Sequence, residues 1–137
     1  MEFIKQNIWL IGLAIGSAVM LAWPSLRRSA SGVVELSPTE AVMLINHEHA
    51  LVLDVRNPDE FSGGHIADAR NIPLSELANR LAELEEAKDK PVLVNCQGGV
   101  RSANACGVLK KAGFGKLYNL GGGINAWNQA NLPVVKG

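Results

Sequence analysis

Cys96 ends the apolar stretch Pro91-Val92-Leu93-Val94-Asn95 and is followed by Gln97-Gly98-Gly99-Val100 and then Arg101-Ser102. A cysteine at a strand end, ahead of a glycine-containing turn and a helix, is placed for thiolate chemistry. The nucleophile is the thiolate, and an ordinary thiol ionises near pH ~8.5. Unpaired N–H groups at a helix start, together with the helix dipole, favour an anion by up to ~2 kcal/mol. Gly98 and Gly99 allow backbone conformations that turn several N–H groups toward one point. Arg101 adds a positive charge nearby. The pattern predicts a sulfur nucleophile at Cys96 whose anion, as thiolate or persulfide, is held by the loop itself.

Other residues with chemical potential read as framework. Cys106 falls mid-helix beside Ala105, Val108 and Leu109, where a small cysteine packs a core. A disulfide to Cys96 needs Cα atoms within ~7 Å, and the helical rise from Arg101 to Cys106 alone spans ~7.5 Å. Asp54 and Arg56 stand at another strand end and are expected as ion-paired scaffolding, with Glu60 the expected partner of Arg56. His65 is expected as a satisfied, partly buried side chain, since thiolate attack on sulfur needs no general base. His47 and His49 are two apart and share no helical face, so no metal site is expected, and no cofactor. Gly121 to Gly123 lacks the spacing and the lysine of a phosphate loop. Lys+Arg and Asp+Glu number 13 each, which leaves no basic excess to attract nucleic acid.

These residues need elements to position them. Val33 to Leu36 reads as an edge strand. Ser37-Pro38-Thr39-Glu40 carries an N-cap, a first-turn proline and a capping-box glutamate, starting a helix that ends near Asn46. Leu51 to Val55 is a near-continuous apolar run, as in strands covered on both faces, and Arg56-Asn57-Pro58-Asp59 breaks it. A short extended piece is expected at residues 69–72, followed by a helix capped by Ser75 with Leu74, Leu77, Leu81 and Leu84 on one stripe. Residues 91–95 are expected as a second buried strand, 101–112 as a helix closed by Gly113, 116–120 as a third strand, and 124–130 as a last helix carrying Trp127. The alternation predicts an α/β domain, a central mainly parallel sheet flanked by helices. In such sheets ligands bind beyond the carboxyl ends of the strands, where Cys96 lies.

Ahead of this domain, residues 8–23 (IWLIGLAIGSAVMLAW) carry no charge. Extended to Leu26, a helix here is about 28 Å long, against a hydrocarbon core of ~30 Å. Trp9 and Trp23 mark its two ends. The expected organisation is an N-terminal membrane anchor with flanks at 1–28, a linker at 29–32, and the α/β domain at 33–137. A cleaved signal peptide is the rival, with Ser29-Ala30-Ser31 as its cleavage site, but Arg27 and Arg28 directly after the apolar run favour a retained anchor. The same arginines outnumber Lys5 on the other flank. They predict a single-pass protein of the inner (cell) membrane with its C-terminal domain in the cytoplasm. Gly12 and Gly16 form a pair that would let two anchors pack closely.

Several separated motifs resemble the signature of single-domain rhodaneses, and with the anchor, of their membrane-anchored subgroup. They are Asp54-Val55-Arg56, Glu60-Phe61, Gly64-His65-Ile66, Ala69, Asn71-Ile72-Pro73, the Cys96 to Ser102 loop, Leu120-Gly121-Gly122 and Trp127. The resemblance implies transfer of sulfane sulfur from a small donor such as thiosulfate to a thiophilic acceptor, cyanide or a protein thiol, through a persulfide on Cys96. It places the amides of Gln97, Gly98, Gly99, Val100 and Arg101, with Ser102 beside them, around that persulfide. Four residues lie between Cys96 and Arg101, where phosphatase relatives of the fold have five, so the resemblance favours sulfur over phosphoryl chemistry. A second class of function is a membrane-tethered binding module that keeps the fold with little turnover.

Overall fold

The structure, a computed structural model, describes residues 33–137. The expected anchor, its orientation, the Gly12/Gly16 pair and the linker lie outside the described residues. Among the described residues no helix is long and apolar enough to cross a membrane.

Five strands form one parallel sheet. They are β1 (Val33–Leu36), β2 (Leu51–Asp54), β3 (Arg70–Asn71), β4 (Val92–Asn95) and β5 (Leu117–Leu120), in the spatial order β1-β5-β4-β2-β3. β4, which delivers Cys96, sits at the centre between β5 and β2, and all four of its residues are buried. That is why its sequence is continuously apolar up to Asn95.

Alternation along these strands sorts side chains between two cores. Leu53, Val92 and Val94 point to one face, with Leu77, Leu84, Ala105, Cys106 and Leu109. Val52 and Leu93 point to the other, with Ala41, Leu44, Ile124 and Trp127. The first face is covered by α3 (Leu74–Leu77), a 3-10 helix (Leu81–Ala87) and α4 (Val100–Lys111), and the second by α1 (Pro38–Glu48) and α5 (Gly123–Gln129).

Helix α1 starts as its sequence predicts. Ser37 N–H donates to Glu40 Oε1 at 3.0 Å and Glu40 N–H to Ser37 Oγ at 3.3 Å. It runs to Glu48 because His49 takes the left-handed conformation that ends it, at φ 53°.

Several elements differ from expectation. A short helix, α2 (Pro58–Ser62), follows β2 where the sequence reads as a break. The leucine stripe from Leu74 to Leu84 is not one helix. Its first helix begins at Leu74 with Pro73 in the cap position, so Ser75 lies inside it rather than capping it. The chain turns at Arg80 (φ −119°), and the 3-10 helix then brings Leu84 to the same core as Leu77. Arg70, on β3, donates to the Glu83 carbonyl at 2.8 Å. Finally, α4 begins one residue earlier than read, at Val100, with Gly99 as its cap.

At the carboxyl end of β2, Asp54 (0% exposed) and Arg56 (2% exposed) form an ion pair inside the protein. Arg56 Nη2 lies 2.8 Å from Asp54 Oδ2 and Nε lies 3.0 Å from Oδ1. Removing one partner strands the other charge away from water. Arg56→Met is therefore expected to lower unfolding free energy by about 3–5 kcal/mol, read as a shift in the urea midpoint at unchanged slope.

Candidate active site

The Cys96 loop is shaped by two backbone constraints. Ile124 N–H donates to the Cys96 carbonyl at 2.9 Å, and Asn125 N–H to the Gln97 carbonyl at 3.1 Å. The first turn of α5 thereby takes both carbonyls to the outer side of the loop and leaves the amides that follow free to turn inward. Gly123 makes this approach possible. At φ 58° it has no Cβ, and a Cβ there would press on the Cys96 carbonyl oxygen and lie 2.6 Å from that of Gln97. Gly99 is the second constraint. Its φ of 102° suits glycine alone, and its N–H donates to Cys96 Sγ at 3.0 Å.

The loop thus presents donors to the sulfur at the start of α4. Ser102 Oγ lies 3.3 Å from Cys96 Sγ. Burial pushes the Cys96 thiol up, but the Ser102 hydroxyl, and then the amides of Ser102, Gly99 and Gly98, outweigh it and hold the thiol below its ordinary value. One hydrogen bond to a charged group is worth about 1.5–3 kcal/mol, or roughly one to two pKa units, so even a few such donors offset a sizeable desolvation. Cys106 has no comparable set. Burial alone pushes it up to about 12, which fits the packing role read from its sequence position.

Asn119, on β5, is a neighbour that the sequence does not announce. Ser102 Oγ is 2.6 Å from Asn119 Oδ1 and 3.1 Å from the Gly99 carbonyl, besides its contact with the sulfur. A hydroxyl has one proton, so these acceptors compete for it. A thiol can donate to Ser102 while Ser102 donates to Asn119, whereas a thiolate needs the Ser102 proton for itself. Asn119 Nδ2 also donates to the Gly99 carbonyl at 3.3 Å, bracing the turn.

The charged residues sort into two pairs. Arg56, besides holding Asp54, donates to the Gly64 carbonyl at 2.7 Å and to Gln97 Oε1 at 3.2 Å, so it ties β2, the segment after α2 and the Cys96 loop together. Glu60 does not pair with Arg56 as the sequence suggests. It takes Arg101, with contacts of 2.8 and 3.0 Å, because α2 carries its side chain across to the start of α4. Arg101 hydrogen bonds pull the Glu60 carboxyl from 4.5 to about 2. That contribution to folding is complete above pH ~4.5 and is lost as pH falls toward 2, and because both side chains are about one-third exposed it is a modest one. His65 is buried, its Nδ1 is 2.8 Å from the Phe61 carbonyl and its ring stacks on Phe61 at 3.7 Å. It is engaged in framework contacts, and its backbone pairs with Val135. Gln97 Nε2 donates to Asn125 Oδ1 at 2.6 Å, while Val100 is 75% exposed at the outer edge of the loop.

Comparison with known proteins agrees with this fold. Residues 37–130 match the Rhodanese-like domain family. The chain is 37% identical over 138 residues to the uncharacterized protein YibN of Escherichia coli (strain K12), covering 100% of this chain and 96% of that one. It is 33% identical over 101 residues to the thiosulfate sulfurtransferase GlpE of Shewanella oneidensis, covering 74% of this chain and 98% of GlpE. Among solved structures, a rhodanese-related protein from Thermoplasma volcanium superposes with a TM-score of 0.66 at 37% identity, covering 74% of this chain and 96% of its own. The chain belongs to the rhodanese-like family, with the family's α/β fold and relatives that bear sulfurtransferase names.

Ser102→Ala removes a donor to the sulfur anion. The pH midpoint for iodoacetamide labelling of Cys96 is expected to rise by about one unit, whereas Cys106 in the folded protein stays unlabelled at neutral pH. Labelling of Cys96 with an unchanged midpoint would remove Ser102 from the account.

Proposed function

We propose that this chain is a sulfurtransferase that carries sulfane sulfur on Cys96. The observation that carries the reading is the Gly99 N–H directed at Cys96 Sγ at 3.0 Å in a loop of four residues closed by Arg101. In the first half-reaction the Cys96 thiolate attacks the sulfane sulfur of a donor of the thiosulfate type. A sulfur–sulfur bond forms to Cys96, the donor's own bond to that sulfur breaks, and the bonding pair leaves with the remainder, sulfite in the case of thiosulfate. The new terminal sulfur is an anion, and inward amides of the loop are suited to hold it. In the second half-reaction a thiophilic acceptor, cyanide or a protein thiolate, attacks the terminal sulfur and Cys96 leaves as thiolate. Ser102 and the amides of Gly98 and Gly99 favour that leaving group as they favour the nucleophile.

The reading extends to location. The uncharged residues 8–23, bounded by Trp9 and Trp23 and followed by Arg27 and Arg28, support a single-pass anchor in the inner membrane with the sulfur-carrying domain on the cytoplasmic side. An anchor would bring Cys96 close to membrane-bound acceptors. A tethered binding module with little turnover is the second reading, and the observation favouring it is that Cys96 is only 1% exposed.

The thiosulfate:cyanide assay separates the two. Wild-type protein is expected to form thiocyanate and Cys96→Ser to fall to background, with mass spectrometry finding one added sulfur on Cys96 after thiosulfate treatment. Equal activity in the two proteins would contradict transfer through Cys96. Absence of both turnover and persulfide in the wild type would favour the binding module.

A further inference from the structure

Ser102 and Asn119 meet beside the sulfur. Ser102 Oγ lies 3.3 Å from Cys96 Sγ and 2.6 Å from Asn119 Oδ1. The Asn119 amide pairs well in one orientation only. The Gly99 carbonyl accepts and cannot donate, so Nδ2 faces it at 3.3 Å and the amide oxygen is left for Ser102. Ser102 is 0% exposed and Asn119 7%. A proton withdrawn from Asn119 Oδ1 therefore leaves an acceptor that solvent does not reach, which disfavours any state that needs the withdrawal.

The charged groups around Cys96 are already matched. At the end of β2 Asp54 is paired with Arg56 at 2.8 Å, and Glu60 of α2 with Arg101 of α4 at 2.8 Å. Glu76 of α3 lies 3.5 Å from Arg80 at the surface. Cys106, on α4 in the same core as Cys96, is pushed up to about 12 and stays neutral. Tyr118 of β5 packs with the core on the other face of the sheet. β4, the turn from Gln97 to Val100 and α5 contribute no ionisable side chain.

The single proton of the Ser102 hydroxyl has two places to go. In the thiol, S–H donates to Ser102 Oγ and Ser102 donates to Asn119. In a persulfide, Sγ carries neither proton nor charge, and the hydroxyl stays with Asn119. In the thiolate the hydroxyl turns to Sγ, because a hydrogen bond to an anion is the stronger one, and Asn119 Oδ1 loses its donor. Resting on the sulfurtransferase reading above, we propose that Asn119 is a positioning residue: through the Ser102 hydroxyl it favours the thiol and persulfide forms of Cys96 over the free thiolate, and so holds sulfur on the domain until an acceptor takes it. When an acceptor attacks the terminal sulfur, the sulfur–sulfur bonding pair goes to Sγ and the Ser102 hydroxyl follows by rotation. No proton is transferred.

The test uses the reduced full chain with Asn119→Leu, close to asparagine in shape, and with Asn119→Val. The pH midpoint for iodoacetamide labelling of Cys96 is expected to fall by about one unit in each, because the thiolate keeps the Ser102 bond and no buried acceptor is stranded. After loading with thiosulfate, cyanide is expected to remove the sulfur a few-fold faster, since a thiol of lower pKa leaves faster. With Ser102→Ala already in place, Asn119→Leu is expected to move neither quantity. Cys106 that stays unlabelled at neutral pH reports that each variant is folded. Asn119 also braces the Gly99 carbonyl, and loss of that brace alone would raise the midpoint, with or without Ser102. A midpoint that rises or stays fixed in the folded variants, or one that falls equally in the Ser102→Ala background, would overturn the role of Asn119. If thiosulfate leaves wild-type Cys96 unloaded, the sulfurtransferase reading fails, while the midpoints still decide whether Asn119 acts through Ser102.

Discussion

The Gly99 N–H that reaches Cys96 Sγ depends on a backbone arrangement, and most of the domain serves to hold it. A peptide unit has one donor and one acceptor, and the loop can aim its donors at the sulfur only if its acceptors are satisfied elsewhere. The first turn of α5 provides that by taking the carbonyls of Cys96 and Gln97 onto the amides of Ile124 and Asn125. Ile124 and Trp127 in turn fix α5 against the sheet through the apolar core they share with Leu93 on β4. The central strand therefore anchors Cys96 from behind while a helix reached by a later part of the chain sets the electrostatics around its sulfur.

Charge in this site is organised by pairing. The buried Asp54–Arg56 pair acts as a three-way tie, with the same guanidinium reaching Gly64 and Gln97. Its desolvation is repaid only with close geometry, and the bidentate contact together with the added carbonyl and amide acceptors supplies that. Arg101 has a different situation, part-exposed and locked to Glu60. Its charge is matched before any ligand arrives, so anion stabilisation at Cys96 rests on the amides and the Ser102 hydroxyl.

The Cys96 loop is legible because its determinants are adjacent in sequence: a buried strand, a cysteine, two glycines and a helix start. The parallel sheet was legible for the same local reason, apolar runs alternating with helical stripes. Helix α2 was not, because it buries no side chain and leaves no periodic signal. A signal exists, since Asn57-Pro58-Asp59-Glu60 repeats the cap, first-position proline and third-position glutamate of Ser37-Pro38-Thr39-Glu40, and Asn57 N–H donates to Glu60 Oε1 at 3.2 Å. The Glu60–Arg101 pair joins residues 41 apart, and no local pattern chooses Arg101 over Arg56. Asn119 carries no local signal, because its role exists only once β5 lies beside α4. The spacing of Leu74 to Leu84 does not separate one helix from two, because a helical stripe and two short helices bury the same leucines.

The most direct measurement of the central claim is a pH titration of the Gly99 amide by ¹H–¹⁵N NMR. A hydrogen bond to a sulfur anion moves that resonance downfield as the anion forms. The account predicts that the Gly99 signal titrates with a midpoint below the ordinary thiol value of ~8.5 and that Cys96→Ser abolishes the titration. A Gly99 resonance that ignores the ionisation of Cys96, or one that titrates identically in Cys96→Ser, would contradict it.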